Sequence, residues 1–389
     1  MNQWDVSEVD DMSYMFERAV RFNQPLSNWD VGYVTTMNSM FKGAIAFDQP
    51  IQNWDVSRLK TMISMFESAI SFNQPLGRWD VGKVRSMERA FKGAVRFNQN
   101  IWQWNTGSLN SIRELFMNAE AFNQPLIRWN MSHVTDMEGA FRGAISFNQH
   151  LDKWNTSNCF RMSHMFDSAV TFNSDISDWD VSMVYHMASM FRNARSFNQP
   201  LPWTVDNNLF NAIEMFKGAT SFNQSLAQWD IANMRYMDGM FDSCGIDCSN
   251  YSATLKAWAE RPPTRDGIIF GAKDCLYGTD VASFRNDLIN IWRWTITGDM
   301  PSGTICYPVS NEPYLSNSEM QLVPNPTKGN IHIKGIEQAT YSIYNQLGQL
   351  LKKGETENGS ISLSGLPKGI LTVSISSRKG RFVSRIIYQ

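Results

Sequence analysis

Histidine and cysteine, the side chains that most readily hold metals or act as base and nucleophile, occur only five times each in 389 residues. No HExxH, GxSxG or phosphate-cradling glycine loop accompanies them, so the common zinc-protease, serine-hydrolase and nucleotide signatures are missing. Acidic and basic residues nearly cancel, 37 against 35 for a formal net charge of −2, which leaves no electrostatic footprint for nucleic acid or an anionic membrane surface. No apolar run approaches the roughly 18 residues of a membrane helix. The start, MNQWDVSEVD, lacks the basic stretch and apolar core of a signal peptide.

What the sequence has in abundance is repetition. Phe recurs at 16, 41, 66, 91, 116, 141, 166, 191, 216 and 241, a strict 25-residue period. A second Phe series runs from Phe22 to Phe222, and Trp recurs at 4, 29, 54, 79, 104, 129, 154 and 179. Trp then slips by one to Trp203 and returns to register at Trp229. One such unit cannot bury an apolar face alone, whereas stacked units share a continuous core.

Each unit parses into elements. Leu26-Ser-Asn-Trp29-Asp-Val31 has the form of a strand with Trp29 and Val31 inward and Asn28, Asp30 and Gly32 outward. A Ser or Gly follows where a helix N-cap would sit. Val34, Met37, Met40, Phe41 and Ala44 then mark one face of a short helix, and Gly43, Ser68, Gly93, Asn118, Gly143 and Ser168 stand at its stop. The expected fold is therefore an α/β solenoid over 1–241, leucine-rich-repeat-like, with a parallel sheet on one face and short helices on the other. Its core would be ladders such as Trp29, Trp54, Trp79 and Phe41, Phe66, Phe91. Asn73 and Asn98, in a series that Asp48 interrupts once, would tie turn backbone between coils.

Residues 242–300 read as a cap for the end of the array, with helices around Tyr251–Ala259 and Val281–Ile291 and a strand at Trp294–Thr297. Cys244, Cys248, Cys275 and Cys306 lie in or near this cap, as stapling disulfides would, and three pairings are open. Cys159 takes the slot of Val34, Leu59 and Val134 and reads as a buried thiol. Residues 301–321 have linker composition. From 322 to 389, short alternating runs separated by turn residues predict a small β-sandwich.

The unit WDVS-x-V-x-x-M-x-x-MF-x-x-A-x-x-FNQPL resembles the BspA-like leucine-rich-repeat surface proteins across about residues 1–300. The tail resembles the type IX secretion sorting domain through VPNPTKGNIHI, YSIYNQLGQLL and LSGLPKGILTVSI. Ile370-Leu371 departs from the Tyr such tails more often carry after the Gly. The resemblance implies engagement of the type IX machinery, passage through a Gram-negative outer membrane, removal of the tail, and surface attachment or release. Such export requires a signal peptide, so the start of the protein is expected to be missing here.

A search for chemistry returns little. His133, His150, His164, His186 and His332 read as surface residues, and no cofactor or metal is expected. The acidic series Asp5, Asp30, Asp55, Asp80, Asp180 and Asp230 suggests a row of calcium sites, but Asn105, Asn130 and Asn155 share its slot, which favours a side-chain oxygen used for structure. The outward slots vary more. Arg78, Trp102, Arg128 and Lys153 fall mid-array, and Arg and Trp are enriched at binding hot spots. The expected function is binding of a protein or glycan partner at the cell surface, as in adhesion, without catalysis. The rivals are a spacer with no specific ligand and a glycan-active enzyme with two facing carboxylates.

Overall fold

A computed structural model describes residues 4–205, 208–261, 266–306, 321–334, 338–345, 350–377 and 380–389. The chain forms two compact units: Met1–Gln224 with Tyr236–Ile246 and Gly271–Asp274, and Ser225–Arg235 with Asp247–Phe270 and Cys275–Gln389.

In the first unit each 25-residue coil lies on the next, with Trp, Phe, Met and Ala inward; Trp54 is 4% exposed and Phe66 and Phe72 are fully buried. Rings stack along the array, Trp29 on Trp54 at 6.4 Å and Phe41 on Phe66 at 5.7 Å. From Trp54 to Trp203 each buried indole N–H is satisfied by the coil before: Trp54 Nε1 donates to Leu26 O at 3.1 Å and Trp79 Nε1 to Ile51 O at 3.1 Å. Trp203 still reaches Ile176 O at 3.0 Å, so the one-residue slip keeps the bond. The compensating residue falls between Val205 and Leu209, where 206–207 lie outside the described residues.

The coils are not the α/β solenoid that the apolar spacing suggests. Among the described residues of the repeats there is neither a helix nor a multi-residue strand. The expected strand at Leu26–Val31 is a turn, with Trp29 N donating to Leu26 O at 3.1 Å. Parallel pairing is reduced to isolated bridges, one per coil, from Asp11↔Thr36 to Asn211↔Tyr236. These bridges lie inside the stretch expected to be helical.

Backbone bonding explains the difference. Met40 N and Ala44 N turn back three residues, to Met37 O and Phe41 O, while Ser39 N, Phe41 N and Gly43 N bond forward to Ile63 O, Met65 O and Glu67 O of the next coil. Ser39 and Gly43 have φ of 55° and 69°. A left-handed residue at the third place of a four-residue turn is what a type II turn requires, and two per coil forbid a right-handed helix. Gly43 and its equivalents are thus not helix stops. They close the second of two successive tight turns, each of which advances three residues.

The second unit carries the regular elements. Helix α1 (Cys248–Glu260) begins at Asp247, whose side chain accepts Asn250 N–H. Strand β1 (Ile269–Gly271) pairs with β3 (Thr295–Thr297), and β2 (Leu276–Tyr277) with β4 (Met300–Pro301). Helix α2 (Ala282–Asn290) supplies Arg285, which grips both oxygens of Asp299 at 2.7 and 2.6 Å; Tyr251 Oη donates to the same carboxylate at 3.1 Å. One disulfide is formed among the described residues, Cys248–Cys306; Cys159, Cys244 and Cys275 are thiols. The segment read as a linker is therefore held to the cap by β4 and by Cys306, and 307–320 lie outside the described residues.

The tail forms two antiparallel sheets. One orders β11 (Gly380–Tyr388), β10 (Gly369–Ser377), β7 (Thr340–Tyr344) and β8 (Leu350–Glu355); the other orders β5 (Leu322–Val323), β6 (Asn330–Ile333) and β9 (Ser360–Ser362). Ile331, Ile343, Ile361, Val373 and Ile386 meet in one core between them.

Candidate functional site

The residue before each Trp must face outward because the indole is committed to the core. Arg78, Arg128 and Lys153 occupy that column in coils on either side of Gln103, and all are exposed. Trp102 stands one place earlier and is half-buried. Its backbone N–H donates to Asn100 Oδ1 at 3.1 Å, which fixes the turn that presents the ring. The Arg128 guanidinium lies 4.2 Å from the centroid of the indole, a cation–π contact on one face. Arg78 and Trp102 both line an open cavity of about 510 Å³. Lys153 is not among the residues lining this cavity; it pairs with Asp152 at 2.9 Å and its side chain is 66% exposed. Three of the four candidate residues thus come together.

The other series resolve into backbone chemistry. Asp30, Asp55 and Asp80 accept the N–H two residues on, from Gly32, Ser57 and Gly82, and Asn105, Asn130 and Asn155 do the same for Gly107, Ser132 and Ser157. A neutral amide serves as well as a carboxylate. Asn98 Oδ1 accepts Asn123 N–H at 2.9 Å and Gln124 Nε2 at 3.0 Å, and Asp48 does the same for Asn73 and Gln74. Among the described residues no three His, Cys, Asp or Glu side chains gather as a metal site would need. No helix among them is long and apolar enough to cross a membrane.

Two clusters went unnoticed in the sequence. Asp167, 1% exposed at its side chain, is held by Arg142 at 3.2 Å, Arg192 at 2.7 Å and His164 at 3.3 Å. Burial works against its charge, but the hydrogen bonds from His164 and Arg192 prevail and hold the carboxyl below its ordinary range. The 25-residue offset to both arginines is the signal that would have revealed it. Further along, Phe160 stacks on Tyr185 at 5.8 Å and Tyr185 on Phe210 at 6.3 Å, with His186 edge-on to both Tyr185 and Phe210. His186 is therefore packed against aromatic rings and not a bare surface residue. The same column holds Thr35, Lys60 and Arg85 in earlier coils, so reading it down the repeats shows the change to aromatics.

Comparison with known families matches residues 1–101, 51–150, 126–212 and 202–265 to a model described as Mycoplasma protein of unknown function, DUF285. Residues 321–389 match a second, described as secretion system C-terminal sorting domain. No curated protein matches the chain.

Proposed function

The chain belongs to the family described as Mycoplasma protein of unknown function, DUF285, the BspA-like repeats, joined here to a type IX sorting domain, and from that premise we propose that its coils bind a partner outside the cell. The sorting domain marks a repeat protein for secretion or surface display. Display at a Gram-negative outer membrane, a protein or glycan as partner, and action by binding without catalysis are our reading. It is carried by one observation: while the inward slots repeat, the outward slots place Arg78 and Trp102 together on a cavity, with Arg128 stacked on the Trp102 ring. A spacer would gain nothing from an aromatic and two cations so grouped.

The test is a glycan and matrix-protein array probed with the full chain and with an Arg78→Ala, Trp102→Ala, Arg128→Ala, Lys153→Ala variant. Truncating a hot-spot residue typically costs at least about 2 kcal/mol, so the fourfold variant should weaken binding far more than about tenfold. Exposed substitutions change stability by about 0.5 kcal/mol or less each, which keeps folding and binding separable. A folded variant that binds at full strength refutes this site.

A further inference from the structure

The cavity beside Trp102 lies where one coil carries no side chain in this column. Down the array its column reads Gln52, Gly77, Trp102, Ile127. Gly77 carries no side chain between Gln52 and Trp102, and the next coil's backbone lies close against it: a Cβ on Gly77 would lie 2.8 Å from the Asn100 carbonyl oxygen. Arg128 covers one face of the indole, yet only Trp102 of that pair lines the cavity. The other indole face therefore borders the cavity.

The remaining lining is polar in a particular way. Besides Arg78, its polar side chains are amides: Gln52 and Asn53 on one side, Gln99, Asn100 and Gln103 on the other. Gln52 Oε1 is buried from solvent, so what Gln52 offers the cavity is the rest of its side chain. An indole ring, several amides and one cation together match a saturated ring with an apolar C–H face, several hydroxyls and one carboxylate. Amides donate and accept at once, as hydroxyls do, and a guanidinium takes a carboxylate in bidentate fashion. An acidic peptide carries a carboxylate on each acidic residue and would find only one cation here.

We propose that this cavity binds a carboxylate-bearing sugar residue of an acidic glycan, its ring on the open indole face of Trp102 and its carboxylate on Arg78. The proposal rests on the binding role proposed above and names the ligand class for that site. In it, Arg128 holds the indole in place from behind.

The test measures titration of the full chain with tetragalacturonic acid, a hyaluronan tetrasaccharide and sialyllactose, each beside its methyl ester, and with an oligoglutamate peptide. At least one acid should bind, and its ester about tenfold or more weaker, the loss of a charged hydrogen bond. Arg78→Gln should reduce the acid to the level of the ester and leave the ester unchanged, Trp102→Ala should weaken both, and Arg85→Gln, an exposed cation in another column, should change neither. Equal binding of acid and ester, indifference to Arg78→Gln, or oligoglutamate binding of equal strength through the same residues overturns the proposal. If no acidic sugar binds but a matrix protein or neutral glycan does so through Trp102, the ligand class falls and the binding role stands. If nothing on the array binds the full chain, both fall.

Discussion

Removing the side-chain oxygen of Asn98 tests whether the amide series holds neighbouring coils together. Asn98 Oδ1 accepts two bonds from the following coil, Asn123 N–H at 2.9 Å and Gln124 Nε2 at 3.0 Å. Asn98→Ala leaves a half-buried backbone N–H without its acceptor, a cost of about 1–3 kcal/mol when water cannot substitute. Two bonds are lost at once and solvent replaces them only in part, so the expected loss is about 2 kcal/mol. Asn98→Asp keeps the oxygen, as Asp48 does in its own coil, and should change stability by about 0.5 kcal/mol or less. Stacked repeats need not unfold in one step, so the local readout is amide exchange at Asn123. It should quicken about 30-fold in the Ala variant and little in the Asp variant. Equal behaviour of the two variants, or unchanged exchange at Asn123, would refute the reasoning.

Asp167 titrates below the ordinary carboxyl value near about 3.9, so its ion pairs stabilise the fold above that pH and are lost as pH falls through the lowered value. Asp167→Asn should therefore cost stability at neutral pH and flatten the acid limb of denaturation below about pH 4; acid unfolding curves of the two proteins check this. Burial pushes the Cys159 thiol up to about 12, so iodoacetamide at mildly alkaline pH should leave it unlabelled in the native protein and label it after denaturation, as peptide mass mapping would show. The Cys248–Cys306 disulfide closes a loop of 58 residues, worth about 4 kcal/mol in the chain-entropy view. The Cys248→Ser, Cys306→Ser protein should show early amide exchange in α1 without change in the coils before residue 200.

The inward side of the fold could be read from the sequence because burial needs only a period. Trp54, Phe66 and Phe72 are buried wherever they sit in a repeating coil, whatever its backbone does. The backbone itself was hidden, since tight turns imitate both regular elements. A turn from Leu26 to Trp29 gives the same inward Trp and Val as a strand, and two three-residue advances from Met37 give the apolar spacing of a helix. The left-handed slots disguise themselves further: Ser39, Arg89, Glu114 and His164 hold positions where glycine would have announced the turn. Strand β8 is hard to read for a different reason. None of its side chains is fully buried, so LLKKGE carries no alternation to read. At the candidate site, Trp102 and Arg128 could be paired from sequence because an offset of about one period is a contact in a stacked array. The ion pair of Lys153 with Asp152 shows only in the side-chain positions.

The backbone bonds between coils also explain how a uniform array can carry a local site. Forward bonds such as Ser39 N to Ile63 O and Phe41 N to Met65 O, together with rings stacked about 6 Å apart, fix the distance from each coil to the next. None of these bonds uses an outward side chain, so an outward slot can change without moving the coil beneath it. Gly77 and Trp102, one coil apart in the same column, both line the cavity. A side chain placed at Gly77 would meet the Asn100 carbonyl oxygen at 2.8 Å, so Gly77→Ala should shift the next coil's backbone and disturb the cavity that Gly77 and Trp102 line.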